Sequence, residues 1–172
     1  SSAMDRVGSL IRYDGQSFTE FNTEKGWGWI QDMQEDSQGK LWFSSLNRGL
    51  FRYDPDLKDG AGSFTRFTTR LDEELWRNGS LFTTIDGRGN IWFGGMGDIN
   101  RFDGTNITQF SADDAIYVNH MIEKERDLFW FINDYDDGLN QFDPVGAKFT
   151  QFNTPGGLNT WFRDLMADSE GK

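Results

Sequence analysis

Three short signatures recur in a fixed order along this chain, and an internal repeat constrains the possible folds more than any other sequence feature. Gly39-Lys40-Leu41-Trp42-Phe43 returns as Gly89-Asn90-Ile91-Trp92-Phe93 and, without the glycine, as Asp127-Leu128-Phe129-Trp130-Phe131. A second signature follows each: Gly49-Leu50-Phe51-Arg52-Tyr53-Asp54, Asp98-Ile99-Asn100-Arg101-Phe102-Asp103 and Gly138-Leu139-Asn140-Gln141-Phe142-Asp143. An earlier copy stands at Gly8-Ser9-Leu10-Ile11-Arg12-Tyr13-Asp14. The third signature comes next, as Phe18-Thr19-Glu20-Phe21, Phe64-Thr65-Arg66-Phe67, Ile107-Thr108-Gln109-Phe110 and Phe149-Thr150-Gln151-Phe152.

Each unit reads as four short strands. The first ends at Asp36, Asp86, Glu125 or Asp168, and the three signatures supply the others. Asp36-Ser37-Gln38-Gly39 and Asp86-Gly87-Arg88-Gly89 hold the glycine and the side-chain oxygen that a tight hairpin uses. Asp54-Pro55, Asp103-Gly104 and Asp143-Pro144 repeat that chemistry one strand later. A four-stranded antiparallel unit of about 40 residues cannot bury both faces alone, so units stack, and radial closure is the usual outcome. The expected fold class is all-β: a β-propeller of four-stranded antiparallel blades. Unit boundaries fall at 1–26 (partial blade), 27–75, 76–115 and 116–157 (complete blades) and 158–172 (partial blade).

The two ends belong to one unit. The stretch from Ser1 to Gly8 aligns with Ser44 to Gly49, which follows a Trp strand, and the stretch from Arg163 to Lys172 stops where such a strand should begin. The reading is of three complete blades and a fourth split between the termini, as part of a larger ring. Self-association of two partial rings is the alternative, since it covers exposed sheet faces and edges.

Composition narrows the function. Lys and Arg number 17 against 28 Asp and Glu, a net charge of −11 that repels phosphate backbones and anionic lipid headgroups. Nucleic acid and membrane contact by this segment are therefore not expected. The chain has no cysteine, which removes disulfides, thiolate zinc sites and thiol catalysis. No apolar run reaches the roughly 18–20 residues of a membrane helix.

The best-matched stretches, from Asp86 to Gly95 and from Gly49 to Asp54, resemble the two-component regulator propeller repeat, and the likeness extends over nearly the whole chain. The third unit departs from that pattern: Glu123-Lys124-Glu125-Arg126-Asp127 lacks the turn glycine. The resemblance implies a bacterial, ligand-binding sensor region in the periplasm or outside the cell, attached to signalling modules, with oligosaccharides as ligands for many members. Lyases that open cyclic peptides carry similar repeats, and for them the resemblance implies a catalytic histidine and a carboxylate-held metal. His120 is the one histidine here.

Trp42, Trp92 and Trp130, with Tyr13, Tyr53, Phe102 and Phe142, repeat with the units and read as core between blades. Aromatics leading into the first strands do not repeat. Those segments line one mouth of a propeller's channel, and their residues are the candidate ligand-binding set: Trp27, Trp29, Trp76, Arg77, Asn78, Tyr117, Asn119, His120, Asn159 and Trp161. Ring faces mixed with amide, guanidinium and imidazole groups suit a small molecule, an oligosaccharide among them; plugging the mouth or packing between blades is the competing role. Asn133-Asp134-Tyr135-Asp136-Asp137-Gly138 offers oxygen ligands but lacks the distal glutamate of a calcium loop, and reads as a solvated hairpin. No catalytic residue, metal or cofactor is assigned. The leading reading is a ligand-sensing segment; a lyase or glycosidase-type enzyme and a protein-interaction scaffold are the alternatives.

Overall fold

The computed structural model describes residues 10–21, 27–46, 48–57, 62–67, 80–95, 97–111, 116–133, 138–153 and 164–168, and every regular element among them is a β-strand. β1 (Leu10–Tyr13) and β2 (Phe18–Phe21) form a two-stranded sheet. Three four-stranded sheets follow. The first holds β3 (Trp29–Glu35), β4 (Leu41–Leu46), β5 (Gly49–Asp54) and β6 (Ser63–Phe67); the second holds β7 (Ser80–Ile85), β8 (Ile91–Gly95), β9 (Asp98–Phe102) and β10 (Ile107–Ser111). The third holds β11 (Val118–Glu125), β12 (Leu128–Asn133), β13 (Gly138–Asp143) and β14 (Lys148–Asn153). Within every sheet, neighbours in space are antiparallel and consecutive in sequence. These are β-propeller blades, with the Trp signature on β4, β8 and β12.

The aspartate that closes each first hairpin explains why the turn and the Trp strand travel together in the sequence. Asp36 Oδ1 accepts the amides of Gln38 and Lys40 at 2.8 and 3.0 Å, while Oδ2 accepts the Trp42 indole N–H at 2.8 Å. Asp86 does the same with Arg88, Asn90 and Trp92, and adds the Asn90 side chain at 2.7 Å. One carboxylate thus ties a two-strand turn to the largest core side chain. Gly39 and Gly89 complete the turns at φ of 75° and 84°, where a side chain would be strained. The third hairpin is built differently. Glu123 takes the Asp127 amide at 3.1 Å and reaches the Gly87 amide of the preceding blade at 2.5 Å, and Asp127 itself adopts the φ of 62° that glycine serves elsewhere.

Strand alternation gives every sheet two faces. One face of the first sheet carries Trp42 and Leu50, with Phe67 packed against them, and meets Ile91, Phe93, Phe102 and Ile107 of the second. Trp92, Ile99 and Phe110 of the second meet Phe129, Phe131, Phe142 and Phe149 of the third. Leu10 and Phe21 of the small sheet meet Leu41, Phe43, Phe51, Tyr53 and Phe64 of the first. The pattern is one rule applied three times. Trp92 lies 4.5 Å from Phe129, and Trp42 lies 5.6 Å from Phe102, between ring centroids.

Two expected core residues depart from the rule. Tyr13 is 58% exposed, and Trp130 is only half-buried, with its indole N–H unpartnered and Phe152 beside it 42% exposed. Both lie on faces that no other described sheet covers. Tyr53, Phe102 and Phe142, at the positions equivalent to Tyr13, are buried.

The aspartate clamps set an acid limit. Burial alone would raise the Asp36 and Asp86 carboxyls, but the indole, amide and, at Asp86, Asn90 side-chain donors outweigh it and hold both below the ordinary 3.8. A carboxylate lowered by folding contributes stability that is complete above its unfolded value and is lost as pH falls through the folded one. Urea unfolding midpoints should therefore fall steeply below about pH 4, and Asp86→Asn should flatten that fall. At neutral pH, Asp86→Ala should cost at least about 2 kcal/mol, since it leaves a buried indole N–H and turn amides without an acceptor.

Candidate functional site

The first strands of the three complete blades, β3, β7 and β11, stand side by side at the inner edge of the stack. Asp32 on β3 accepts the Thr83 amide of β7 at 3.0 Å, joining two inner strands directly. Each inner strand breaks register near its start, between Ile30 and Asp32, between Ser80 and Phe82, and between Val118 and His120. Gln31, Leu81 and Asn119 are the inserted residues. A β-bulge bends its strand and re-aims the neighbouring side chains, so three equivalent bends mark the end at which the connecting segments arrive.

Trp29 and Tyr117 occupy matching places just ahead of these bulges, opposite Leu46 and beside Asn133 respectively. Trp29 is 57% exposed, unlike the other described tryptophans, which are buried or half-buried. Tyr117 is half-buried, and its amide donates to Asn133 Oδ1 at 2.9 Å. Asn119 is the bulge residue of β11, and His120 follows it, with Nδ1 3.4 Å from Asp164 Oδ1 in the segment 164–168. The amide, the imidazole and the carboxylate supply hydrogen-bond partners; the indole and the phenol supply ring faces. Such a set can hold a flat or ring-shaped ligand by stacking and by hydrogen bonds.

Trp27 takes the competing role of core. It is 1% exposed, packs edge-on against Phe43 and Phe51 and lies 4.5 Å from Phe64, and its indole donates to the Phe21 carbonyl at 2.6 Å. It fills the junction between the small sheet and the first blade, where Trp42 and Trp92 fill the later ones. Trp27 and Trp29 are two residues apart and would share a face on a straight strand. Gly28 between them, at a φ of 70°, turns the chain so that one indole goes inward and the other outward.

Trp76, Arg77, Asn78, Asn159 and Trp161 lie outside the described residues, as do 134–137 of the acidic turn. Asn133 of that turn is buried and committed to Tyr117. One residue that sequence reasoning missed joins the inner surface, Gln31, exposed at its bulge; Met33, 37% exposed, pairs with Phe43 on the face toward the small sheet, where its counterparts Thr83 and Met121 are buried. Gln31 becomes visible once the paired strands place it at the same bulge as Asn119.

Scans against protein-family models and against curated protein sequences give no match. Solved structures do match. The extracellular domain assigned to a hybrid two-component system, BT3049 of B. thetaiotaomicron, superposes with a TM-score of 0.71 at 15% identity, over 95% of this chain and 24% of that one. That of BT4673, from the same organism, gives 0.64 at 18% identity, over 87% and 20%. An inactive variant of virginiamycin B lyase from Staphylococcus aureus, solved with quinupristin, gives 0.65 at 19% identity, over 86% and 48%. The chain therefore spans about half the length of the lyase and about a fifth to a quarter of the two ectodomains. At these identities the likeness shows a shared propeller fold.

The two neighbouring tryptophans should separate cleanly under truncation. Trp27→Ala should cost about 3–5 kcal/mol of unfolding free energy, the loss expected for a buried indole. Trp29→Ala should change the unfolding free energy by less than about 0.5 kcal/mol, as an exposed side chain does.

Proposed function

We propose that this chain is the ligand-binding segment of a two-component-type sensor, working in the periplasm or outside the cell, and that it holds a carbohydrate or other small molecule at the propeller mouth. The observation that carries the reading is the exposed Trp29 indole at the head of an inner strand, in a chain whose repeated tryptophans serve the core. Its counterpart Tyr117, with Asn119 and His120 beside it, gives a second inner strand the same mixture of ring and hydrogen-bonding groups. The likeness of fold to two extracellular domains of two-component systems supports the setting. Trp76, Arg77, Asn78, Asn159 and Trp161 complete the proposed set.

Stacking on a sugar ring uses the wide, weakly hydrated face of an indole, while hydroxyls are met by amide and imidazole groups. A net charge of −11 favours neutral ligands over polyanions. Binding without turnover is the expected behaviour.

A panel of neutral oligosaccharides titrated against the chain, followed by calorimetry and tryptophan fluorescence, tests this. Saturable binding that Trp29→Ala weakens by about three- to tenfold, equivalent to about 0.5–1.5 kcal/mol, supports the site. Binding untouched by Trp29→Ala and Tyr117→Ala together would remove it from the mouth. Ligand cleavage during the titration would favour the lyase or glycosidase-type reading instead.

A further inference from the structure

The rule that builds three junctions leaves one junction half made at each end of the stack. On the last blade, Trp130, Leu139 and Phe152 repeat the positions of Trp42, Leu50 and Phe67 and of Trp92, Ile99 and Phe110. Those earlier sets lie under the next sheet, whereas Phe152 is 42% exposed and the Trp130 indole N–H has no partner. At the other end, the small sheet turns Ile11, Tyr13 and Phe18 outward, at 57%, 58% and 75% exposed. They are the counterparts of Phe51, Tyr53 and Phe64, the set with which the first blade covers its predecessor.

The exposed pair is already arranged for this role. The Tyr13 and Phe18 rings lie 4.7 Å apart, as do Tyr53 and Phe64, and Phe142 and Phe149 lie 4.6 Å apart at the same positions of the third blade. Both of those pairs rest against the aromatic face of the blade before them: Tyr53 and Phe64 lie 5.2 and 5.4 Å from Phe21, and Phe142 lies 5.1 Å from Phe110. One end of the chain therefore presents the covering surface and the other presents the surface that such a set covers. Contiguous exposed aromatics of this kind mark an interaction surface on a soluble domain.

We propose that these two faces are mates between two copies of this chain. The Tyr13–Phe18 face of one copy packs on the Trp130–Phe152 face of its partner, and the partner's own pair of faces closes the other side. Both junctions reuse the part of the internal contact that the third and fourth strands of a covering sheet supply. Three four-stranded sheets and one two-stranded sheet from each copy place six complete blades and two smaller sheets around one axis, inside the range of about four to eight blades at which propellers close. A two-fold pair also leaves no open end from which a filament could grow. The inner strands of both copies then surround one channel.

Sedimentation velocity and light scattering of the chain across a wide concentration range supply the test, together with Phe152→Lys and Phe18→Glu, both at exposed positions. The expected result is a wild-type particle of twice the chain mass, and monomers for either variant alone, with near-ultraviolet circular dichroism showing that each variant keeps its core. Mixing the two variants should restore the pair, because one junction then joins lysine to glutamate and the other is wild type. A folded wild-type monomer at every concentration overturns the proposal and leaves the Trp130 face to a further sheet of a longer polypeptide. A mass that climbs without a plateau overturns closure, and variants that dimerise as well as the wild type overturn the assignment of the faces.

Discussion

The wedge of aromatic side chains between successive sheets is the interaction on which the rest of this structure depends. Hydrogen bonding makes each meander, but a lone meander with two apolar faces is marginal in water, so the sheets exist because they stack. Alternation along the strands settles which residue goes to which junction. Trp42 and Arg52, directly opposite on β4 and β5, face the following blade, while Phe43 and Phe51 beside them face the preceding one. Arg52 lies over both Trp42 and Phe67 at 5.6 Å, and Arg101 lies over Trp92 and Phe110 at 5.7 and 5.9 Å. Each aromatic pair is thus flanked by a cation that adds to the attraction. In the third blade Gln141 stands where those arginines do, and Lys124 on the adjacent strand takes the place over Trp130 at 5.6 Å.

Turn chemistry and wedge are coupled through single carboxylates. Because Asp36 and Asp86 hold the hairpin amides and the indole at once, the geometry of the outward turn is transmitted to the ring that fills the junction. The third unit gives up that coupling. Its glutamate serves the turn of the blade before it, and the Arg88–Asp127 ion pair reinforces the same link between the two turns. The indole of Trp130, without a carboxylate acceptor, sits on a face that remains open. The hairpins between the third and fourth strands keep a simpler device: Asp14, Asp103 and Asp143 each accept two amides from the residues that follow. Donation from Ser17 and Gln16 holds the exposed Asp14 carboxyl at about 2.

The strands of the three complete blades, their order and their pairing were legible in the sequence because all of them rest on local rules repeated several times: alternation, turn residues and the spacing of the signatures. The strand expected to end at Asp168 departs, since the described residues 164–168 carry no strand. What was not legible depends on longer range or on a single dihedral angle. Gly-Trp-Gly-Trp offers two indoles of equal chemistry, and only the left-handed turn at Gly28 decides that Trp27 is core and Trp29 is not. Tyr13 carries the same signature as Tyr53, yet its burial depends on what lies against its sheet, which no local pattern encodes. The bulges at Gln31 and Asn119 were likewise hidden, since an inserted residue is visible only once two strands are paired.

Those bulges separate what the repeat keeps constant from what it leaves free. The backbone bends at the same place on β3, β7 and β11, so the three inner strands present equivalent positions toward one another. The residues at those positions differ: Gln31, Leu81 and Asn119 at the bulge, then Asp32, Phe82 and His120 after it. Where the side chain is structural it closes the stack, as Asp32 does on the Thr83 amide and as Phe82 does within the core. At another inner position, Trp29 is free of that duty and stands exposed. A scaffold whose junctions are fixed by repetition can vary its inner rim without disturbing the wedge, and recognition in such a molecule is carried by the residues that do not repeat.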